Sequence, residues 1–331
     1  MKTNISLAVA IEGYLLDAGA RQLSVCTISD YKNSFRHFTE YIGDPPIADI
    51  TTDDVRQFLA SLNGAEITPN GHAPRPTIKL SKKSILNIHT ALSSLWTWAV
   101  REGFVRKHIV RPIRPAKPEE RAIEPFTRAD VEAILAHCQF SRSYTRPGKA
   151  ECANTRATGQ RDRAIILLLL DTGMRASELT ADPRREIPGL LIKNVDLQNR
   201  YIKVLGKGDK ERILPISNST TKALWKYLVT RDDPPPDQPL FLSMHGKPLT
   251  RNGLLQVIKS IAQRAGVPGA HPHRFRHTFA INFLRNGGKT LELQRLLGHT
   301  SLDMVNRYVN LAQVDLDEAH KRASPVSNWN L

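Results

Sequence analysis

The sequence holds only three cysteines, Cys26, Cys138 and Cys152, far apart and odd in number. That spacing offers neither a disulfide framework nor a CxxC zinc site, and a reducing compartment suits it best. Long apolar runs are also missing. The longest, residues 164–170, is far below the ~20 residues that a membrane span requires, and residues 1–10 lack a signal-peptide pattern. No internal repeat or low-complexity tract is present. A soluble, cytoplasmic protein with no membrane partner is expected.

Acidic residues are in deficit. Against 32 Asp and Glu stand 47 Lys and Arg, a formal charge of +15 over 331 residues. The basic residues run from Lys2 to Arg322 and are not gathered into one tail, as an extended surface for a polyanion requires. A generally basic protein that binds no nucleic acid is the alternative that charge alone leaves open.

Proline is concentrated where the chain changes character. Residues 111–127 read RPIRPAKPEERAIEPFT, a stiff strap because each proline fixes its own φ and biases its predecessor toward extended backbone. The expected division is a helical unit over residues 1–110, a linker over 111–125 and a second unit over 126–331. Apolar residues recur at helical spacing in 5–18, 28–41, 52–62 and 82–102. Thr51, Thr52, Asp53 and Asp54 ahead of Val55 form a helix start. Trp96 and Trp98 are expected in the core, and residues 64–80 in a loop.

Beyond the strap the pattern is mixed. Residues 129–136 and 161–171 read as helices, the second apolar enough to be central. Short strands are expected over 190–195, 200–205 and 211–216. Helices follow over 220–228, 251–265, 273–286, 290–297, 301–308 and 314–321.

Four short segments carry chemistry. Gly173 suits a left-handed helix cap, so Arg175 falls at a helix junction, where its planar fork and partly free amides suit a phosphate. Gly206 and Gly208 flank Lys207 at a hairpin tip, where an ammonium can reach a leaving oxygen. Pro272 opens a helix on which His273 and Arg276 share one face, while Phe275, Phe279 and Phe283 anchor another. His299 follows the helix-ending Gly298, and Tyr308 lies nine positions further on. A tyrosine, with a pKa near ~10, needs neighbours that stabilise its phenolate before it attacks anything at neutral pH. Each segment alone has an ordinary structural explanation: an ion pair, a solvated turn, a core tyrosine. His271, His273 and His277 also allow a zinc reading, which Arg276 opposes by repelling a divalent ion. For His277 the ordinary expectation is a bond to nearby backbone.

Together the ordered set Arg175, Lys207, His273-x-x-Arg276, His299, Tyr308 resembles the catalytic signature of the tyrosine recombinase, or phage integrase, family, of Xer and transposon-integrase type. The resemblance implies a mainly α fold with a small β-sheet: an N-terminal helical core-site-binding domain and a mixed α/β catalytic domain, closing as a C-shaped clamp on DNA. It implies that Tyr308 attacks the scissile phosphate to form a 3′-phosphotyrosine, with exchange through a Holliday junction. Arg175 and Arg276 would clamp the non-bridging oxygens and His299 would donate to them. Lys207 would protonate the 5′ leaving oxygen, His273 would assist the tyrosine, and Glu178 either orients Arg175 or is a plain surface carboxylate. No metal or nucleotide cofactor is implied, since two arginines and a lysine can neutralise a phosphate.

The implied partners are double-stranded DNA with a specific recombination site, a homo-oligomer (a tetramer in the synapse) docked through residues 314–321, and possible accessory proteins. The place of action would be the nucleoid. Residues 64–80, 139–160 and 181–190 depart from the family pattern as surface insertions. An arm-site-binding domain is not expected. A fold-retaining DNA-binding protein without the reaction and a type IB-like topoisomerase remain as alternatives.

Overall fold

The computed structural model describes residues 4–63, 66–67, 78–118, 124–140, 155–206, 211–299, 301–312, 320 and 324–326. The chain divides into two compact units, Met1–Arg121 and Ala122–Leu331.

In the first unit four helices are each started by a hydroxyl side chain that accepts a free amide of the first turn. Ser6 caps α1 (Leu7–Ala20), Ser24 caps α2 (Val25–Ile42), Thr51 caps α3 (Thr52–Ser61) and Ser81 caps α4 (Lys82–Arg101). At α3 the cap is reciprocal, with Asp54 accepting from the Thr51 amide. The apolar faces meet on Leu92, Leu95 and Trp96, all fully buried, and Trp98 is buried as expected. Phe38 packs edge-on against Phe58 at 5.0 Å and against Trp96 at 6.0 Å. Residues 64–80 differ from a plain loop: β1 (Glu66–Ile67) and β2 (Ile78–Lys79) pair antiparallel, and residues 68–77 lie outside the described set.

The second unit is built around α6 (Gly159–Thr172), whose Ala164, Ile165, Ile166, Leu168 and Leu169 are fully buried. Each such Leu or Ile contributes roughly 1.5–3 kcal/mol relative to an exposed one. Three further helices pack against it: α5 (Arg128–Gln139), α8 (Asn218–Val229) and α10 (Pro272–Arg285). Asp162, at 0 % exposure, is held by Arg161 at 2.6 Å and Arg156 at 2.9 Å, the pairing that a buried carboxylate requires. Around the insertion at 139–160, Phe140 and Thr155 bridge, and the Arg156 amide donates to the Gln139 carbonyl; residues 141–154 lie outside the described set.

The expected strand at 190–195 is largely a 3-10 turn, Ile192–Asn194. Its Ile192 and Lys193 amides donate to the carbonyls of Gln238 and Pro236, so loop partners take the place of a strand neighbour. Leu191 makes an isolated antiparallel bridge to Pro239, and β3 (Val195–Asp196) pairs with β4 (Tyr201–Leu205), which pairs in turn with β5 (Glu211–Pro215). Within 181–190, Pro183–Arg185 forms a 3-10 turn closed by Asp182 against Ile187.

Among the described residues the unit also holds α9 (Arg251–Arg264), α11 (Thr290–Leu297) and α12 (Asp303–Ala312). A separate apolar cluster of Ala280, Ile281, Leu284, Leu293, Leu297, Val305, Tyr308 and Ala312 joins α10, α11 and α12. It fixes the helix that carries Tyr308 against the helix that carries Arg276. Residues 313–319, which hold most of the expected terminal helix, lie outside the described set.

Candidate active site

The site begins where α6 stops. Gly173 takes φ +59° to end the helix, and a Cβ there would meet Phe279 Cδ1 at 2.4 Å. Two residues later Arg175, extended at φ −75° and ψ 148°, starts the single turn α7 (Ala176–Leu179). Glu178 of that turn is almost wholly buried and gathers four donors. Its Oε2 accepts from the Arg175 amide at 2.7 Å and from Arg212 Nη2 at 2.7 Å; its Oε1 accepts from Arg212 Nη1 at 2.9 Å and Arg175 Nη1 at 3.1 Å. Burial pushes this carboxyl up, yet the bonds and charge of Arg212, with those of Arg175, outweigh it and hold it below the usual range. Glu178 is therefore an internal brace of Arg175, not a surface carboxylate.

Arg276 comes from the first turns of α10. His271 caps that helix, its Nδ1 accepting from the Arg274 amide at 3.0 Å, and Pro272 occupies a position that needs no donor. Phe275 is fully buried and fixes the helix, and Arg276 is itself 4 % exposed. Its Nη1 donates to the Gly173 carbonyl at 2.8 Å, and its Nη2 to the Leu297 carbonyl at 2.8 Å. Burial first, then Arg175, lower its pKa to about 10, so it stays charged at neutral pH.

The end of α11 holds the arginines in place. A helix C-terminus leaves its last carbonyls without partners and carries partial negative charge. Here three successive carbonyls each accept from a different arginine: Leu296 from Arg212 at 2.9 Å, Leu297 from Arg276 at 2.8 Å and Gly298 from Arg175 at 3.1 Å. The next residue, His299, is buried, and its Nε2 lies 2.7 Å from Arg276 Nη2. A guanidinium only donates, so Nε2 accepts and the ring proton sits on Nδ1. That Nδ1 is buried with no hydrogen-bond partner among the described residues. Burial, with the charges of Arg276, Arg175 and Arg212, lowers the His299 pKa to about 4.

Tyr308 occupies the middle of α12, 5 % exposed, its ring stacked on His299 at 6.3 Å and 11°. Burial raises its pKa, against the charge and hydrogen bond of Arg276 and the charges of Arg307 and Arg175. Its hydroxyl lies 2.9 Å from His277 Nδ1, so the expectation that His277 bonds nearby backbone is corrected. Burial and then His273, His271, Arg276 and Arg307 hold His277 neutral, with a pKa of about 4. No hydrogen bond joins His273 to Tyr308; the His273 ring lies 6.4 Å from that of His277. Burial, then the charges of Arg276 and Arg251, lower the pKa of His273 as well. The histidines of α10 form no metal cluster: among the described residues no three His, Cys, Asp or Glu converge.

The structure thus brings together Arg175, Arg276, His299 and Tyr308, with His273 one turn before His277. Lys207 lies outside the described residues. Arg212 has no role in the sequence reading, although its strand hints at one. It shares the inward face of β5 with buried Leu214 and pairs with inward Val204 of β4, and a charge on a core-facing strand position demands a buried partner. Three guanidiniums against one carboxylate leave two positive charges beside a phenol, an arrangement able to hold a phosphate while the tyrosine attacks it.

Residues 149–314 match the model of the phage integrase family, and residues 11–103 that of the phage integrase N-terminal SAM-like domain. The chain belongs to the phage integrase family and is a tyrosine recombinase. Tyrosine recombinase XerD of Mycobacterium leprae is 29% identical over 98% of this chain and 99% of its own length. Tyrosine recombinase XerC of Roseiflexus castenholzii is 28% identical over 93% and 90%. The fold is similar to that of the Tn1549 transposon integrase in complex with a circular intermediate DNA: TM-score 0.67, 20% identity, 90% of this chain and 94% of that one. It is also similar to XerH site-specific recombinase bound to a palindromic difH substrate: TM-score 0.66, 22% identity, 91% and 81%. Among the described residues no helix is long and apolar enough to cross a membrane.

Proposed function

We propose that the chain cleaves and rejoins DNA at a specific site through a 3′-phosphotyrosine at Tyr308. The Tyr308 oxygen attacks the phosphorus, the bond to the 5′ oxygen breaks, and that oxygen leaves as a hydroxyl with a proton from Lys207. The freed hydroxyl later attacks the phosphotyrosine of a partner strand, so the bond energy is kept and a Holliday junction forms between the two exchanges. Arg175 and Arg276 balance the charge of the phosphorane, and the free Nδ1–H of His299 adds a third donor. The observation that carries this assignment is the Tyr308 hydroxyl set among Arg276, His277 and His299.

Because Tyr308 is protonated at neutral pH it needs a base. The 2.9 Å contact favours His277 as the group that takes its proton, with His273 behind it. The substrate is duplex DNA bearing a recombination site. The working assembly is a homo-oligomer on that DNA, in the cytoplasm at the nucleoid. Supporting this, solved relatives of the same fold include a lambda integrase dimer bound to a COC′ core site. Integration, excision, transposition and chromosome-dimer resolution all use the same cleavage, and sequencing of the covalently captured DNA decides among them.

A nicked suicide substrate tests the assignment. Wild type is expected to give a covalent, protease-sensitive DNA adduct, retained in EDTA, and Tyr308→Phe none. Equal adduct from both proteins overturns it. Relaxation of supercoiled DNA without any site requirement would point instead to a topoisomerase, and site binding without adduct to a regulatory protein.

A further inference from the structure

We infer that Arg212 is a positioning residue for strand cleavage: by neutralising the buried Glu178 it leaves the charge of Arg175 free for the scissile phosphate. The inference rests on the catalytic role proposed above for Tyr308 and Arg175.

Arg212 spends its whole fork inside the protein. Nη1 and Nη2 take the two oxygens of Glu178, and Nε takes the Leu296 carbonyl. Its side chain is 13% exposed, against 30% for that of Arg175. Of the two arginines that share Glu178, Arg175 is the more accessible. The bidentate Arg212 pair is also the shorter one, 2.7 and 2.9 Å against 3.1 Å for the Arg175 side chain. Paired charges of this kind cancel locally. With Arg212 present, Glu178 is balanced and Arg175 and Arg276 offer two positive charges to a pentacovalent phosphorane. Without Arg212, the buried carboxylate has Arg175 as its remaining counter-ion. Arg175 would then be drawn onto Glu178, and the phosphate would meet one charge in place of two.

Geometry adds a second link. The Arg212 guanidinium lies against Gly298, where a Cβ would sit 3.3 Å from its carbon Cζ, and Nε grips the carbonyl three residues before His299. The backbone of Gly298 has φ +63° and itself binds Arg175. One strand residue thus fixes both the loop that carries His299 and the carboxylate that holds Arg175. An arginine suits this place because a lysine cannot supply three divergent donors in one plane.

The test measures single-turnover adduct formation at saturating DNA on two suicide substrates, one with a normal scissile phosphodiester and one with an uncharged methylphosphonate. Arg212→Met is expected to slow cleavage of the phosphodiester roughly 10–100-fold, with DNA affinity unchanged in a mobility-shift assay. The penalty should shrink to a few-fold or less on the methylphosphonate, which has less need of a second charge. Arg212→Lys should fall between. Because Arg212→Met strands a buried carboxylate and lowers stability, the double variant Arg212→Met, Glu178→Gln is included. It should regain the thermal midpoint and cleave the phosphodiester several-fold faster than Arg212→Met. Equal loss on both substrates, a double variant no faster than the single, or an Arg212→Met rate equal to wild type overturns the role of Arg212 while leaving that of Tyr308 intact. Absence of adduct in wild type, or its persistence in Tyr308→Phe, overturns the catalytic assignment and this inference with it.

Discussion

Arg276 Nη2 lies 2.7 Å from His299 Nε2, and this contact fixes the histidine as an acceptor on one side and an unsatisfied donor on the other. A buried N–H without a partner costs free energy, on the order of 1–3 kcal/mol. A phosphate oxygen arriving at the site would relieve that cost.

Removing either clamp should therefore cost rate more than affinity. Arg276→Ala and Arg175→Ala are each expected to slow adduct formation by about 10²–10³-fold, as for loss of one preorganised donor of a charged transition state. Quench-flow on the suicide substrate at saturating DNA measures this; a loss confined to DNA affinity would contradict it.

Exchange of His277 should outweigh exchange of His273. The Tyr308 hydroxyl touches the former at 2.9 Å and has no bond to the latter. His277→Ala is expected to slow cleavage by roughly 10²-fold or more, in the range of a lost general base, with a smaller effect for His273→Ala. The reverse order, read from the same time courses, would return the proton to His273.

Stability should fall in mild acid. His277 and His299 have folded-state pKa values of about 4 against an ordinary value of 6.5. Between those values the unfolded chain binds more protons than the folded one, so stability rises with pH. The contribution is complete above about pH 6.5 and is lost as pH falls toward 4. Thermal midpoints across that window should drop, less steeply in His277→Gln and in His299→Gln; parallel curves for all three proteins would be inconsistent with neutral buried rings.

Gly173→Ala should damage fold and site together. Left-handed backbone costs a non-glycine residue roughly 1–2 kcal/mol, and a Cβ 2.4 Å from Phe279 adds overpacking of about 1–3 kcal/mol. Since the Gly173 carbonyl accepts from Arg276, cleavage should slow as well. Chemical denaturation and adduct assays check the two effects separately.

Binding should weaken steeply with salt, because a chain of charge +15 displaces counterions from many phosphates. A logarithmic plot of affinity against salt gives the number of contacts. A slope near zero would remove the polyanion argument altogether.

The sequence by itself determined the helices, because apolar spacing and hydroxyl caps are local: the expected and observed bounds of α3, α4, α9 and α11 agree within a residue or so. It also determined the ordered residues that mark the family, since their types and order need no geometry. Strand 190–195 was not legible, because its apolar residues are equally suited to a turn whose amides are taken by a distant loop. Nor were the distant partners of Glu178 and Tyr308. Arg212 lies 34 positions from Glu178, and His277 lies 31 from Tyr308. Only the packing of β5, α10 and α12 against the end of α11 brings those atoms within hydrogen-bond range. Hydrogen bonds act over about 3 Å in space and have no memory of separation along the chain, so tertiary structure alone chose which distant charge neutralises Glu178 and which histidine meets Tyr308.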